Sequence, residues 1–196
     1  MTAVQVVKIG GSLLNWDELD FALERWFGTR QAVNSLVIVG GGQSVDSLRT
    51  ECQQGTMDDV AAHWEAIYTM DRHTQTLFER IRGQLRHTCT LESQLPAARL
   101  RLNAPSTIVF FQCAHFLQSD DAAHSNGPLP CDWSVTSDSI AARLAETLHA
   151  NLVLLKSTTA PDEPWREWAR DGFVDTFFPV AAQELSIVEA VNLRKW

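Results

Sequence analysis

Ala3-Val-Gln-Val-Val-Lys-Ile-Gly-Gly-Ser12 decides the fold of this chain, because a seven-residue run rich in β-branched residues stops at a glycine pair. Such a run reads as a buried strand, and the glycines as the turn that ends it. Leu19, Leu23, Trp26 and Phe27 then fall near helical spacing between Trp16 and Phe27, with Gly28 placed to stop the helix. The same unit recurs at once. Ser35-Leu-Val-Ile-Val39 predicts a second strand, Gly40-Gly41-Gly42 a second glycine turn, and Ser44 to Cys52 a short helix. A strand followed by a helix, twice over, implies parallel strands, because a parallel pair needs a crossover connection whereas a hairpin does not.

Outward from this core the pattern continues. Val60, Trp64, Ile67, Leu77, Phe78 and Ile81 advance by threes and fours and predict a long helix from Met57 to Arg82, with Asp58 and Asp59 at its positive end. Residues 84 to 104 give only a break at Gly83 and a short helix after Pro96. Thr107-Ile-Val-Phe-Phe111 reads as another buried strand, and Gln118 to Pro130 as a surface loop, a candidate lid. Thr136 to His149 predicts a helix capped by Thr136, Ser137 or Asp138, and Asn151 to Leu155 a fourth clear strand ending at Lys156. A helical stretch from Trp165 to Trp168 and a final strand from Ser186 to Val191 complete the reading. The expected fold is a single α/β domain over residues 1–196, a three-layer α/β/α sandwich around a mostly parallel sheet. Ligands of such sheets bind outside the carboxyl ends of the strands.

Composition narrows the partners. With 196 residues, 45% of them hydrophobic, the chain buries a sizeable core without metals or bridges. Sixteen Lys and Arg against 24 Asp and Glu leave a charge of -8, which argues against a nucleic-acid surface but leaves room for a small anionic substrate in a locally basic pocket. Cys52, Cys89, Cys113 and Cys131 form no Cys-x-x-Cys pair, and no apolar signal stretch follows Met1, so reduced thiols and a cytoplasmic location are expected. No apolar run approaches the roughly 20 residues that span a bilayer. The histidines lack metal-ligand spacing, and no metal site is expected.

Two glycine turns at the ends of parallel strands are the main chemical signal. Gly10 and Gly11, with Gly40, Gly41 and Gly42, let the backbone approach an anion and aim N–H groups at its oxygens. Neither turn fits the P-loop or the dinucleotide fingerprint. Lysine is scarce: Lys8, Lys156 and Lys195 stand against 13 arginines, and two of the three lie at predicted strand ends. An ammonium there can neutralise charge on a transferring phosphoryl group, or simply reach solvent. Asp138 can cap its helix or pair with Lys8 or Lys156. Ser12 has no nearby histidine to activate it as a nucleophile. Trp16, Trp26 and Trp64 fall on apolar helix faces, as core or subunit-interface residues.

Lys8-x-Gly-Gly-Ser12, Val37-Ile-Val-Gly-Gly-Gly42 and Val135-Thr-Ser-Asp-Ser-Ile-Ala-Ala142, in that order, resemble the amino acid kinase family, over about residues 3 to 156. Ala62-His63-Trp64-x-Ala66-Ile67-x-x-Met70-Asp71, followed by Thr136-Ser-Asp-Ser-Ile140, is further similar to the small kinases linked to methanofuran and tetrahydromethanopterin biosynthesis, one of which phosphorylates an aminomethylfuran phosphate. The resemblance implies ATP with Mg2+ as cofactors and a small anionic acceptor, preferably a phosphate monoester. It assigns Lys8 to the transferring phosphoryl group, Asp138 to organising the lysines, and Gly10, Gly11, Ser12 and Ser137 to the nucleotide phosphates. Gly40, Gly41, Gly42 and His63 fall to the acceptor, and a homo-oligomer is the family habit. The chain departs from the pattern after Leu155, where Lys156-Ser-Thr-Thr-Ala-Pro161 replaces the usual Thr-Asp-x-x-Gly turn and no later Gly-Gly-Met-x-x-Lys motif follows. Lys156 is then the expected stand-in for the later lysine. The alternative is a catalytically silent relative that binds a nucleotide or anion as a sensor or scaffold.

Overall fold

Strand β1 (Ala3–Ile9) lies between β2 (Val33–Val39) and β5 (Asn151–Lys156), and hydrogen-bonds in parallel to both. The computed structural model describes residues 3–196. With β3 (Thr88–Glu92), β4 (Thr107–Phe111) and β6 (Val188–Asn192) it forms a six-stranded sheet in the order β3-β4-β2-β1-β5-β6, parallel throughout. The four inner strands are buried on both faces, which is why they read as continuous apolar runs.

Helices cover both faces. On one, α1 (Leu19–Gly28) and the second half of α3 (Asp59–Ile81) pack Leu23, Trp26, Phe27, Leu77 and Ile81 onto Val7, Ile9, Val37 and Val153. On the other, α4 (Leu95–Arg101), α5 (Ser137–Leu148) and the single turn α6 (Phe178–Ala181) cover Val6, Leu36, Val109 and Leu154. Helix α2 (Gly42–Gln53) buries no residue fully, and with the first half of α3 rises past the carboxyl ends of the strands. The helix starts two residues later than the expected Met57, which makes Asp58 its cap, accepting from the Ala61 N–H at 3.1 Å.

Several local expectations change. Helix α1 ends at Gly28 as the spacing predicts, although Thr29 is the cap, its hydroxyl donating to the Trp26 carbonyl at 2.8 Å. Trp16 lies ahead of that helix and is half-buried, whereas Trp26 is wholly core and cannot serve an interface. The unclear stretch 84–104 contains edge strand β3. The loop after β4 begins with a π-helical turn, Phe116–Asp120, and is tied down by the buried Arg143, which reaches Asp121 at 3.3 Å and the Gly127 carbonyl at 2.9 Å. It contributes no residue to the cleft described below, so it is no lid for it. The tryptophan-rich stretch near the end makes one 3-10 turn, Trp165–Glu167. The four cysteines are free, as expected. Among the described residues no helix is long and apolar enough to cross a membrane.

Candidate active site

Alternation along the central strands decides where the two strand-end lysines point. Lys8 stands opposite Leu154 in the register, so Lys8 and, two residues beyond Leu154, Lys156 project from the same face of the sheet, towards α5. The first turn of α5 delivers Asp138 between them. Lys8 Nζ lies 3.0 Å from Asp138 Oδ1, and Lys156 Nζ 2.7 Å from Asp138 Oδ2. Lys8 is only 5% exposed and Asp138 4%, yet Lys8 still reaches the cleft floor.

Burial on its own raises the Asp138 pKa, but the charges of Lys8 and then Lys156 outweigh it and hold the carboxyl below its usual value. Burial, followed by repulsion from Lys8, pulls the Lys156 ammonium down to about 8, against the opposing pull of Asp138. Lys156 also donates to the Phe173 carbonyl at 2.6 Å and lies 4.9 Å from the Phe173 ring centroid.

The two glycine turns touch. A Cβ on Gly11 would lie 2.1 Å from the Gly42 nitrogen, and one on Gly42, at φ 57°, would lie 2.8 Å from the Gly11 carbonyl oxygen. Only bare backbone fits on both sides of that contact. The amides of Gly10 and Gly40 donate to Leu155 and Ile9 carbonyls at 2.8 and 2.9 Å, so these two residues extend the sheet and hold the turns rather than offering N–H groups to an anion. The donors that remain for a ligand are those of the turn tips and of the first turn of α2, whose N–H groups have no acceptor within the helix.

A cleft of about 490 Å³ opens above these groups. Lys8, Gly10, Gly11, Ser12, Gly41, Gly42, His63, Ser137 and Lys156 line it. Gly40 and Asp138 lie outside its lining, and a Cβ on Gly40 would come 3.0 Å from Ser137 Oγ and 3.4 Å from Lys8 Cε. His63 is 6% exposed, and burial lowers its pKa against the raising effects of a hydrogen bond that the imidazole donates to the Asp132 backbone and of the Asp132 charge.

Three contributors escaped the sequence reading. Arg49 lines the wall, its guanidinium 4.9 Å from the Trp133 ring centroid and its buried Nε without a partner. Trp133 itself forms part of that wall. Asp175 lies under the first turn of α5. A signal for Arg49 was present: Gly42, Val45, Asp46 and Arg49 repeat at i, i+3, i+4 and i+7, as do His63, Ala66, Ile67 and Met70 on α3, and all eight line the cleft. No such local periodicity marks Trp133 or Asp175.

The donor set fits polyphosphate. It comprises two ammonium groups, a guanidinium, glycine turns and helix N-termini around one cleft. A resident metal fits less well: among the described residues no group of three His, Cys, Asp or Glu side chains is placed to hold one, and Asp138 is committed to the lysines. Beyond Lys156, Ala169, Gly172, Val174, Asp175 and Thr176 line an adjoining hollow that shares Arg49, Trp133 and Thr136 with the cleft, and Ser157 Oγ stands 2.8 Å from Ser12 Oγ.

No protein-family model matches this chain, and no curated protein matches it in sequence. Solved structures do match. The UMP kinase of Bacillus anthracis superposes with a TM-score of 0.67 at 11% identity, over 98% of this chain and 88% of its own. The uridylate kinase of Archaeoglobus fulgidus gives 0.59 at 13% identity, over 97% and 92%. The fold is the amino acid kinase fold. The aspartate kinase of Synechocystis shares it too, with a TM-score of 0.58 at 15% identity, over 96% of this chain but 38% of that enzyme. Within the amino acid kinase fold, the lysine pair and both glycine turns occupy the carboxyl edge of the central strands β1, β2 and β5.

Proposed function

We propose that this protein transfers the terminal phosphoryl group of ATP to a small anionic acceptor, with a phosphate monoester preferred to a carboxylate. The observation that carries the reading is the Lys8–Asp138–Lys156 arrangement on one rim, where two glycine turns meet. The acceptor oxygen attacks the terminal phosphorus as the bond to the bridging oxygen breaks. Little covalent chemistry falls to the protein, and positioning with charge neutralisation supplies the rate. Lys8 and Lys156 face the charge on the transferring group, Asp138 keeps the two ammoniums from separating, and Gly11, Ser12 and Ser137 hold the donor phosphates. Gly41, Gly42, His63 and Arg49 receive the acceptor's anionic end against the apolar wall of Ala66, Ile67 and Met70. An aminomethylfuran phosphate is the specific acceptor we favour, on the resemblance of residues 62–71 and 136–140.

Calorimetric titration with ATP and its non-hydrolysable analogue, in the presence of Mg2+, tests the donor. Binding followed by transfer to a phosphate monoester is expected, and absence of binding at millimolar nucleotide removes the reading. A second reading, an anion or nucleotide binder without turnover, is favoured by Lys156-Ser-Thr-Thr-Ala-Pro161 standing where the resemblance implies a Thr-Asp-x-x-Gly turn. Saturable binding with no transfer to any monoester acceptor selects it.

A further inference from the structure

We propose that Asp175 is a positioning residue that holds the first turn of α5, and through it Asp138 and Lys156, in the arrangement needed for phosphoryl transfer; this rests on the kinase reading above. Helix α5 opens with N–H groups that need acceptors, and its own cap residue Thr136 makes no side-chain cap bond. Asp175, 36 to 39 residues further along the chain, provides them instead. Its Oδ2 accepts from the Thr136 N–H at 3.0 Å, the Thr136 hydroxyl at 2.8 Å and the Ser139 N–H at 3.0 Å, while Oδ1 accepts from the Ser139 hydroxyl.

These four bonds bracket Asp138. Thr136, two residues before it, and Ser139, directly after it, are pinned to one carboxylate, so the direction of the Asp138 side chain is set by a residue outside the cleft lining. Two residues before Asp175, the Phe173 carbonyl accepts directly from Lys156 at 2.6 Å. The short stretch 173–175 therefore fixes two of the three charged groups on the rim. A plain helix cap would need one carboxylate oxygen, whereas here both are used and the same short stretch also holds the neighbouring lysine through the Phe173 carbonyl.

The groups that face Lys156 are Lys8 on β1, Asp138 on α5, and Phe173 and Asp175 on the returning segment. Asp175 contributes a negative charge to that surrounding. Because the chain has three lysines, their ε-carbon NMR signals can be titrated individually after isotope labelling. In Asp175→Asn the Lys156 midpoint is expected to fall below its wild-type value. Turnover is expected to drop by about ten- to a hundredfold, the range for displaced supporting residues, with a smaller change in the acceptor KM. Ser139→Ala, which deletes one of the four bonds and leaves the cleft lining intact, is expected to lower turnover in the same direction by less. It carries the test should Asp175→Asn fail to fold.

A folded Asp175→Asn with an unchanged Lys156 midpoint and unchanged kcat overturns the positioning role while wild-type turnover leaves the kinase reading standing. Unchanged kcat in Ser139→Ala counts against it in the same way. If the wild-type protein transfers no phosphoryl group, the kinase reading and the role built on it fall together. In that case a shifted Lys156 midpoint records only the electrostatic contact.

Discussion

Lys8 is the residue where the cost of the site is plainest. An ammonium 5% exposed is paired with a carboxylate 4% exposed, and the same carboxylate holds a second ammonium at 2.7 Å. From sequence a strand-end lysine could simply reach solvent; the burial of Lys8 removes that alternative. Lys8→Ala is expected to reduce turnover by orders of magnitude. It is also expected to lower stability by about 2 kcal/mol, less than the full cost of stripping a buried pair because Lys156 still faces Asp138. The removal of a neighbouring positive charge raises the Lys156 midpoint from about 8. Thermal melts and lysine NMR titration check the two effects separately. The pH dependence follows from the same group. Unfolded, Lys156 keeps its proton to 10.5; folded, it loses it at about 8. Between these values the unfolded chain binds more protons, so this group's contribution to stability rises with pH across the window. Anion binding needs the ammonium and moves the other way, weakening by up to about tenfold per pH unit above 8. Affinity for tripolyphosphate that stays flat from pH 7 to 9.5 would show that Lys156 takes no part.

At the scale of elements, legibility followed burial and local spacing. Strands β1, β2, β4 and β5 announce themselves because both faces are covered and nearly every position is apolar. Strand β3, Thr88-Cys-Thr-Leu-Glu92, sits at the sheet edge with no fully buried residue, so neither an apolar run nor clean alternation marks it. The rim residues on strand ends were visible for the same reason as the strands. Asp175 was not, because its partners are 36 to 39 residues away and no sequence period links them. Glycines divide in the same manner. At Gly11 the opposing backbone leaves no room for a methyl group, so Gly11→Ala is expected to push the two turns apart, abolish phosphate binding and cost several kcal/mol on the order of an overpacked core. At Gly28 a Cβ would meet nothing within 4 Å, and the backbone is already helical. Gly28→Ala is expected to stabilise by about 0.5–1 kcal/mol, through the lower entropy of the unfolded chain. Denaturant melts of the two variants should move in opposite directions, and a stabilised Gly11→Ala would contradict the close contact between the turns.

Over the whole molecule, a charge of -8 is set against a local concentration of Lys8, Lys156 and Arg49 at one edge of the sheet. Focused positive charge in an otherwise acidic protein favours compact, highly charged anions over extended polyanions. A polyphosphate bound in the cleft would touch groups from β1, the turn after β2, α2, α5 and β5, elements spread from residue 8 to residue 156. On the proposed function such a ligand would bind the folded chain and find nothing comparable to bind in the unfolded one. Linkage then gives the size of the effect: at a hundred times its Kd, a single-site ligand adds about 2.7 kcal/mol to stability. For a domain of this length that corresponds to a Tm rise of about 5–10 °C. Lys8→Ala should lose most of the rise at the same concentration, since the cleft floor then lacks one ammonium. Sodium chloride at matched ionic strength should not reproduce the rise in the wild type, because it screens the global charge without bridging the elements. Equal Tm shifts from ATP and from sodium chloride would show that the protein responds to ionic strength alone and that the cleft holds no phosphate.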